Sequence, residues 1–141
     1  MDFDIRDFMN KMIAVIHFLS GIIFLSFVTP NDSNQVIDEI VQSIQTGSSR
    51  ELSKFFTNTI ALSMDENSGD YSKNQSELIF RDFFRRFPPE DFKVVHQRES
   101  HDNAWYIIGN YLSKEADFTV LVKGKSENGS SNIYSMDIRR E

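Results

Sequence analysis

The chain has 141 residues, 40% of them hydrophobic and 26% charged, a composition that fits one globular domain. Its formal net charge of −6 opposes phosphate backbones and argues against non-specific nucleic-acid binding. The absence of Cys excludes disulfides, thiolate catalysis, Cys-ligated zinc and lipid attachment at a cysteine.

From the N-terminus, Met12 to Val28 (MIAVIHFLSGIIFLSFV) is apolar without a formal charge. As a helix rising about 1.5 Å per residue it reaches about 25 Å. That is the lower limit for a bilayer span and slightly long for a signal-peptide core. Pro30 ends the helix, because the residue before proline disfavours α geometry. Met1 to Asp7 is acidic, the wrong sign for a signal peptide, whereas a start at Met9 gives the short basic run Met9-Asn10-Lys11. No small-x-small cleavage signature precedes Pro30. Residues 1–30 are therefore read as a signal peptide or an N-terminal membrane anchor, and 31–141 as the single domain it exports. The expected location is periplasmic or secreted, or anchored in the inner membrane and facing the periplasm. Two of the 15 basic and three of the 21 acidic residues lie in the leader, so the domain keeps most of the negative charge.

Asp32 or Ser33 caps a first helix, with Val36, Ile37, Ile40, Val41 and Ile44 at helical spacing and Gly47 as its left-handed stop. Ser48 or Ser49 opens a second, shorter helix whose apolar side is Leu52, Phe55 and Phe56. Thr57 to Met64 alternates as a strand with Ile60 and Leu62 on one face, and Asp65 to Asp70 (DENSGD) is turn chemistry. Its oxygen-rich composition does not match the spacing of a calcium loop. A third helix is capped by Ser72, carries Leu78, Ile79, Phe83 and Phe84 on its apolar side, and ends at Phe87-Pro88-Pro89. Four strands follow, over residues 92–100, 104–113, 117–126 and 132–140. The turns between them include His101-Asp102-Asn103 and Asn128-Gly129, the latter a strong hairpin signal. Helices ahead of an antiparallel meander predict an α+β fold, with helices packed on a curved antiparallel sheet of four to five strands. Thirteen Phe residues point to an aromatic core.

This order resembles the NTF2-like (cystatin-like) superfamily. More closely, the chain resembles a family of exported Bacteroidetes proteins known as domain of unknown function 4783. The likeness is carried by Ile40 to Phe56 (IVQSIQTGSSRELSKFF), Tyr71 to Gln97 (YSKNQSELIFRDFFRRFPPEDFKVVHQ) and Trp105 to Tyr111 (WYIIGNY), within residues 34 to 140. It implies an NTF2-like fold, a cell-envelope setting and no assigned activity, so there are no catalytic residues to carry over.

The candidate pocket lining is His96, Trp105, Tyr106, Tyr111 and Tyr134. Strand alternation puts His96 on one face with Phe92 and Val94, as a histidine among apolar neighbours. The aromatic residues offer rings and OH or NH groups to a cone-shaped cavity, or else pack across strands. The best acid–base set an isomerase or dehydratase of this fold would draw on is His96, Tyr106 and Asp137, although Asp137 alternates with Met136 and Ile138 and is expected to face solvent. The three His have no metal-binding spacing, so neither a metal nor a cofactor is implied. The leading expectation is a non-catalytic binding or scaffold domain that meets a small apolar ligand or an envelope protein, with a homodimer through the sheet face as one arrangement. The alternatives are an isomerase-type enzyme and an interaction domain with a filled core.

Overall fold

The computed structural model describes residues 32–128 and 130–141, together with Arg6 and Met9; the apolar leader, 12–28, lies outside the described residues. The chain divides between Pro30 and Asn31. Among the described residues no helix is long and apolar enough to cross a membrane.

The first helix, α1 (Asp32–Gln45), buries Ile37, Ile40 and Ile44, three positions that recur on one side of a 3.6-residue turn. It stops in a Schellman motif. Gly47 takes a φ of 64°, its N–H donates to the Ile44 carbonyl at 3.1 Å, and the Ser48 N–H donates to the Ser43 carbonyl at 2.9 Å. The second, α2 (Ser49–Lys54), follows at once, with the Glu51 N–H donating to the Ser48 Oγ. After β1 (Phe56–Met64) and β2 (Asn67–Ser72), helix α3 (Lys73–Arg86) opens with a full capping box between Ser72 and Gln75. Its buried residues are Ser76, Phe80, Phe83 and Phe84. Leu78, expected on this face, is 49% exposed, and Ile79 is half-buried. The stripe runs at intervals of four, three and one from Ser76, which leaves Leu78 on the opposite side.

Strands β3 (Pro89–Glu99), β4 (Ala104–Ser113), β5 (Asp117–Glu127) and β6 (Ser130–Arg140) form the predicted meander. The sheet has six strands in the order β2-β1-β6-β5-β4-β3, one more than expected. The extra strand is β2. Chain reversal needs only Asp65, at a φ of 52°, and Glu66, so most of the polar segment read as a turn pairs with β1, from Met64↔Asn67 to Thr59↔Ser72. An exposed edge strand can be polar on both faces and then shows no alternation. The sheet is also mixed, because β1 pairs parallel with β6. The Ile133 N–H donates to the Phe55 carbonyl at 2.7 Å where that pairing begins.

The three helices cover one face of the sheet. Phe56, Phe80, Phe83, Phe84, Phe92, Tyr111 and Phe118 are buried there, and Phe87 packs against them. Phe83 lies edge-on to Phe118 with centroids 5.2 Å apart, and Phe87 to Phe118 at 4.9 Å. Such pairs contribute about 0.5–1.5 kcal/mol each beyond their buried area. Arg140 closes this end of the core, its guanidinium 5.2 Å from the Phe87 ring and 5.5 Å from the Phe118 ring. At β3 the Gln45 amide donates to the Phe92 carbonyl at 2.9 Å, which fastens α1 to the edge strand.

Candidate functional site

Strand register sorts the five candidate residues. On the helix-covered face, Phe92, Tyr111 and Phe118 stand in one row across β3, β4 and β5, and Trp105 lies beside Gly124 and Ile133. Tyr111 and Trp105 are 0% and 2% exposed. The Tyr111 hydroxyl donates to the Phe87 carbonyl at 2.5 Å. Burial, with Glu115 adding to it, pushes that phenol well above its ordinary range. Tyr111 is thus a core residue that satisfies the backbone where α3 ends. The Trp105 indole lies across Gly124: a Cβ placed on that glycine would come 2.0 Å from Cζ2. Phe92 covers Gly109 in the same way, at 2.4 Å. The glycines leave room for rings from the neighbouring strands. Trp105 and Tyr111 therefore belong to the packed core rather than to an open cone. None of the four hollows described below is lined by Tyr111, Phe83 or Phe118.

His96, Tyr106 and Tyr134 lie elsewhere. Between Val94 and His96 the β3–β4 register shifts, so that Val94 opposes Gly109 while His96 opposes Ile108. Such a bulge adds one residue and reverses which side the next residues face. His96 is consequently exposed on the outer face, not placed among apolar neighbours with Phe92 and Val94. Its ring meets Tyr106 at a centroid distance of 5.5 Å. Tyr134, beside the β5–β6 irregularity, is 43% exposed. Asp137 opposes Leu121 on the outer face and takes two hydrogen bonds from the Arg139 guanidinium, at 2.8 and 3.1 Å. The acid–base set His96, Tyr106 and Asp137 is thus outside the helix-covered core.

The outer face carries two parallel cross-strand rows. One is Arg98, Tyr106, Lys123 and Ser135; the next is His96, Ile108, Leu121 and Asp137. Three adjoining hollows indent it. A hollow of about 140 Å³ is bordered by Arg98, Ser100, Trp105, Tyr106, Lys123 and Tyr134. Another of about 340 Å³ lies between Ser68, Asp70, Lys123 and Asp137, and a third of about 180 Å³ has Ile108 and Leu121 on its floor. Lys123 borders the first two, while Leu121 and Asp137 border the last two. A separate hollow of about 480 Å³ lies along α1 and α2, where Lys54 and Glu51 already neutralise one another at 2.5 Å.

Besides Trp105 and Tyr111, the buried polar side chains among the described residues are serines. Ser43, Ser53, Ser76 and Ser113 donate to backbone carbonyls, and Ser131 meets Ser126. Among the described residues no cluster of three His, Asp or Glu is placed to hold a metal. Arg98 and Lys123 were not singled out by the sequence. Their relation to Tyr106 depends on strand register, which composition does not reveal.

The family model for the domain of unknown function DUF4783 matches residues 37–139. Among solved structures, a DUF4783 family protein from Bacteroides ovatus is similar at 23% identity and a TM-score of 0.69, over 73% of this chain and 93% of that one. One from Bacteroides uniformis is similar at 21% identity and 0.70, over 74% and 95%. An NTF-2 like protein of unknown function from Silicibacter pomeroyi shares the fold at 12% identity and 0.57, over 78% and 93%. No curated protein matches the chain. With the family model spanning most of the sequence and an NTF2-like helix-and-sheet arrangement beneath it, the chain belongs to the DUF4783 family.

Proposed function

We propose that the chain is a non-catalytic binding or scaffold module of the bacterial cell envelope, and that it meets its ligand or protein partner through the outer face of the sheet. The observation that carries this reading is the distribution of polar groups. Buried polar side chains are mostly serines spent on local hydrogen bonds, while Arg98, Lys123, Tyr106 and His96 stand on the uncovered face. General acid–base catalysis draws on a titratable group held in a water-poor cavity. Binding draws on shaped surface with polar groups still free to pair. The envelope setting is supported by the uncharged apolar run from Met12 to Val28.

The test is affinity capture from an envelope extract with the full chain, the outer-face variant Leu121→Glu and the helix-side variant Leu78→Glu. The reading expects a species held by the parent and by Leu78→Glu and lost from Leu121→Glu. Equal retention by all three, or nothing above background, overturns it.

A further inference from the structure

We propose, building on that binding reading, that the hollow of about 140 Å³ beside Tyr106 is a site for a small organic anion built on a ring. Arg98 and Lys123 flank Tyr106 as its direct neighbours on β3 and β5. Among the described residues neither cation makes a hydrogen bond or an ion pair, and neither the Tyr106 nor the Tyr134 hydroxyl has a partner. The other cations of this face are already neutralised: Lys93 by Asp91 at 3.3 Å, Lys125 by Glu127 at 2.7 Å and Arg139 by Asp137 at 2.8 Å. Trp105, which also borders the hollow, has a buried indole N–H without a partner. Asp70 and Asp137 share the adjoining hollow with Lys123 without forming an ion pair to it, and Asp102 stands one hydrogen bond beyond the border, through Ser100. Asp102 is occupied by the Ser100 hydroxyl, which holds its pKa below the usual carboxylate range.

The hollow is thus bordered by two unneutralised cations and two phenols, and by no carboxylate of its own. Arg and Lys recognise carboxylate, sulfate and phosphate groups through charge-assisted hydrogen bonds. The Tyr rings offer flat apolar surface with a donor at the edge. A volume of about 140 Å³ has room for one ring and its acidic group, not for an extended chain. The ligand class that satisfies all three conditions is a ring-bearing organic anion, such as an aromatic acid or a uronic acid.

The test follows backbone-amide NMR shifts of the full chain on titration with benzoate and with glucuronate. Glucose serves as a neutral ring and acetate as an anion without one. The site predicts saturable shifts confined to residues around Arg98, Tyr106, Lys123 and Tyr134 for benzoate, glucuronate or both across the millimolar range. It predicts affinity at least tenfold weaker for glucose and acetate. The double variant R98Q/K123Q, altered only at exposed side chains and checked for fold by its own spectrum, should bind about tenfold more weakly still than the parent. Binding of glucose or acetate as strong as that of the ring anions, unchanged affinity in R98Q/K123Q, or no saturable shift with either ring anion overturns the proposal. If the parent still captures its envelope species but shows no anion-dependent shift, the ligand class falls and the binding reading stands. Loss of both removes both.

Discussion

Replacing Gly124 with Ala tests whether the Trp105 indole is packed into the core against that glycine. The new Cβ would lie 2.0, 2.4 and 2.5 Å from three atoms of the indole. Ordinary contact begins at 3.4 Å, so the ring has to retreat by about 1.4 Å. Trp105 is 2% exposed and has little space to enter. Overpacking of a filled core costs about 1–3 kcal/mol, and this contact belongs at the upper end, about 3 kcal/mol. For a domain of this size that lowers Tm by about 10 °C. The assay is urea denaturation of the parent, Gly124→Ala, Trp105→Leu and the double variant, with a shared slope as the check on two-state behaviour. Trp105→Leu alone should cost about 2–4 kcal/mol through the cavity it leaves. In the double variant the added methyl enters space the ring has vacated, so the two losses should fall short of additive by at least about 1 kcal/mol. Additivity within about 0.5 kcal/mol, or a loss below about 0.5 kcal/mol for Gly124→Ala, refutes the contact and with it the assignment of Trp105 to the core.

Tyr111→Phe leaves the Phe87 carbonyl without its donor and should cost about 1–3 kcal/mol in the same assay. Because the folded state holds the Tyr111 phenol above its free value, the stability it contributes is complete below about pH 10 and is lost as pH rises further, so alkaline denaturation should show a steeper fall in the parent than in Tyr111→Phe. Ser72→Ala breaks the capping box at the start of α3 and should lower stability by about 1 kcal/mol, read as a shift in the urea midpoint at constant slope. Phe80→Ala should cost about 3–5 kcal/mol, whereas Leu78→Gln two residues away should stay within about 0.5 kcal/mol of the parent by thermal melting.

What the sequence disclosed followed from local chemistry. Gly47, Ser48, Ser72 and Asn128 act over a few residues, and the helix ends and the final hairpin appear where these residues put them. Strand alternation likewise separated Ile60 and Leu62 from their neighbours. What escaped was set by distant partners. Strand β2 has only Tyr71 partly buried, and so carries no apolar signal until β1 supplies its ladder. The parallel pairing of β1 with β6 joins segments some 75 residues apart, as in Leu62↔Met136. The bulge after Val94 moved His96 to the opposite face from the one its alternation implied. Phe80 was overlooked and Leu78 chosen because both are apolar in a Phe-rich segment, and only the three-dimensional stripe separates them. The candidate site shows the same division: the aromatic residues were visible by type, but their two faces and the flanking Arg98 and Lys123 depend on register.

The most direct measurement is tyrosine nitration of the folded chain, mapped by mass spectrometry with and without the envelope extract. Tyr106 and Tyr134 should react in the free chain and be protected in the presence of the extract, while Tyr111 stays unmodified in both until the domain unfolds. Reaction of Tyr111 in the folded chain, or a pattern on Tyr106 and Tyr134 that the extract leaves unchanged, would contradict an outer binding face laid over a closed aromatic core.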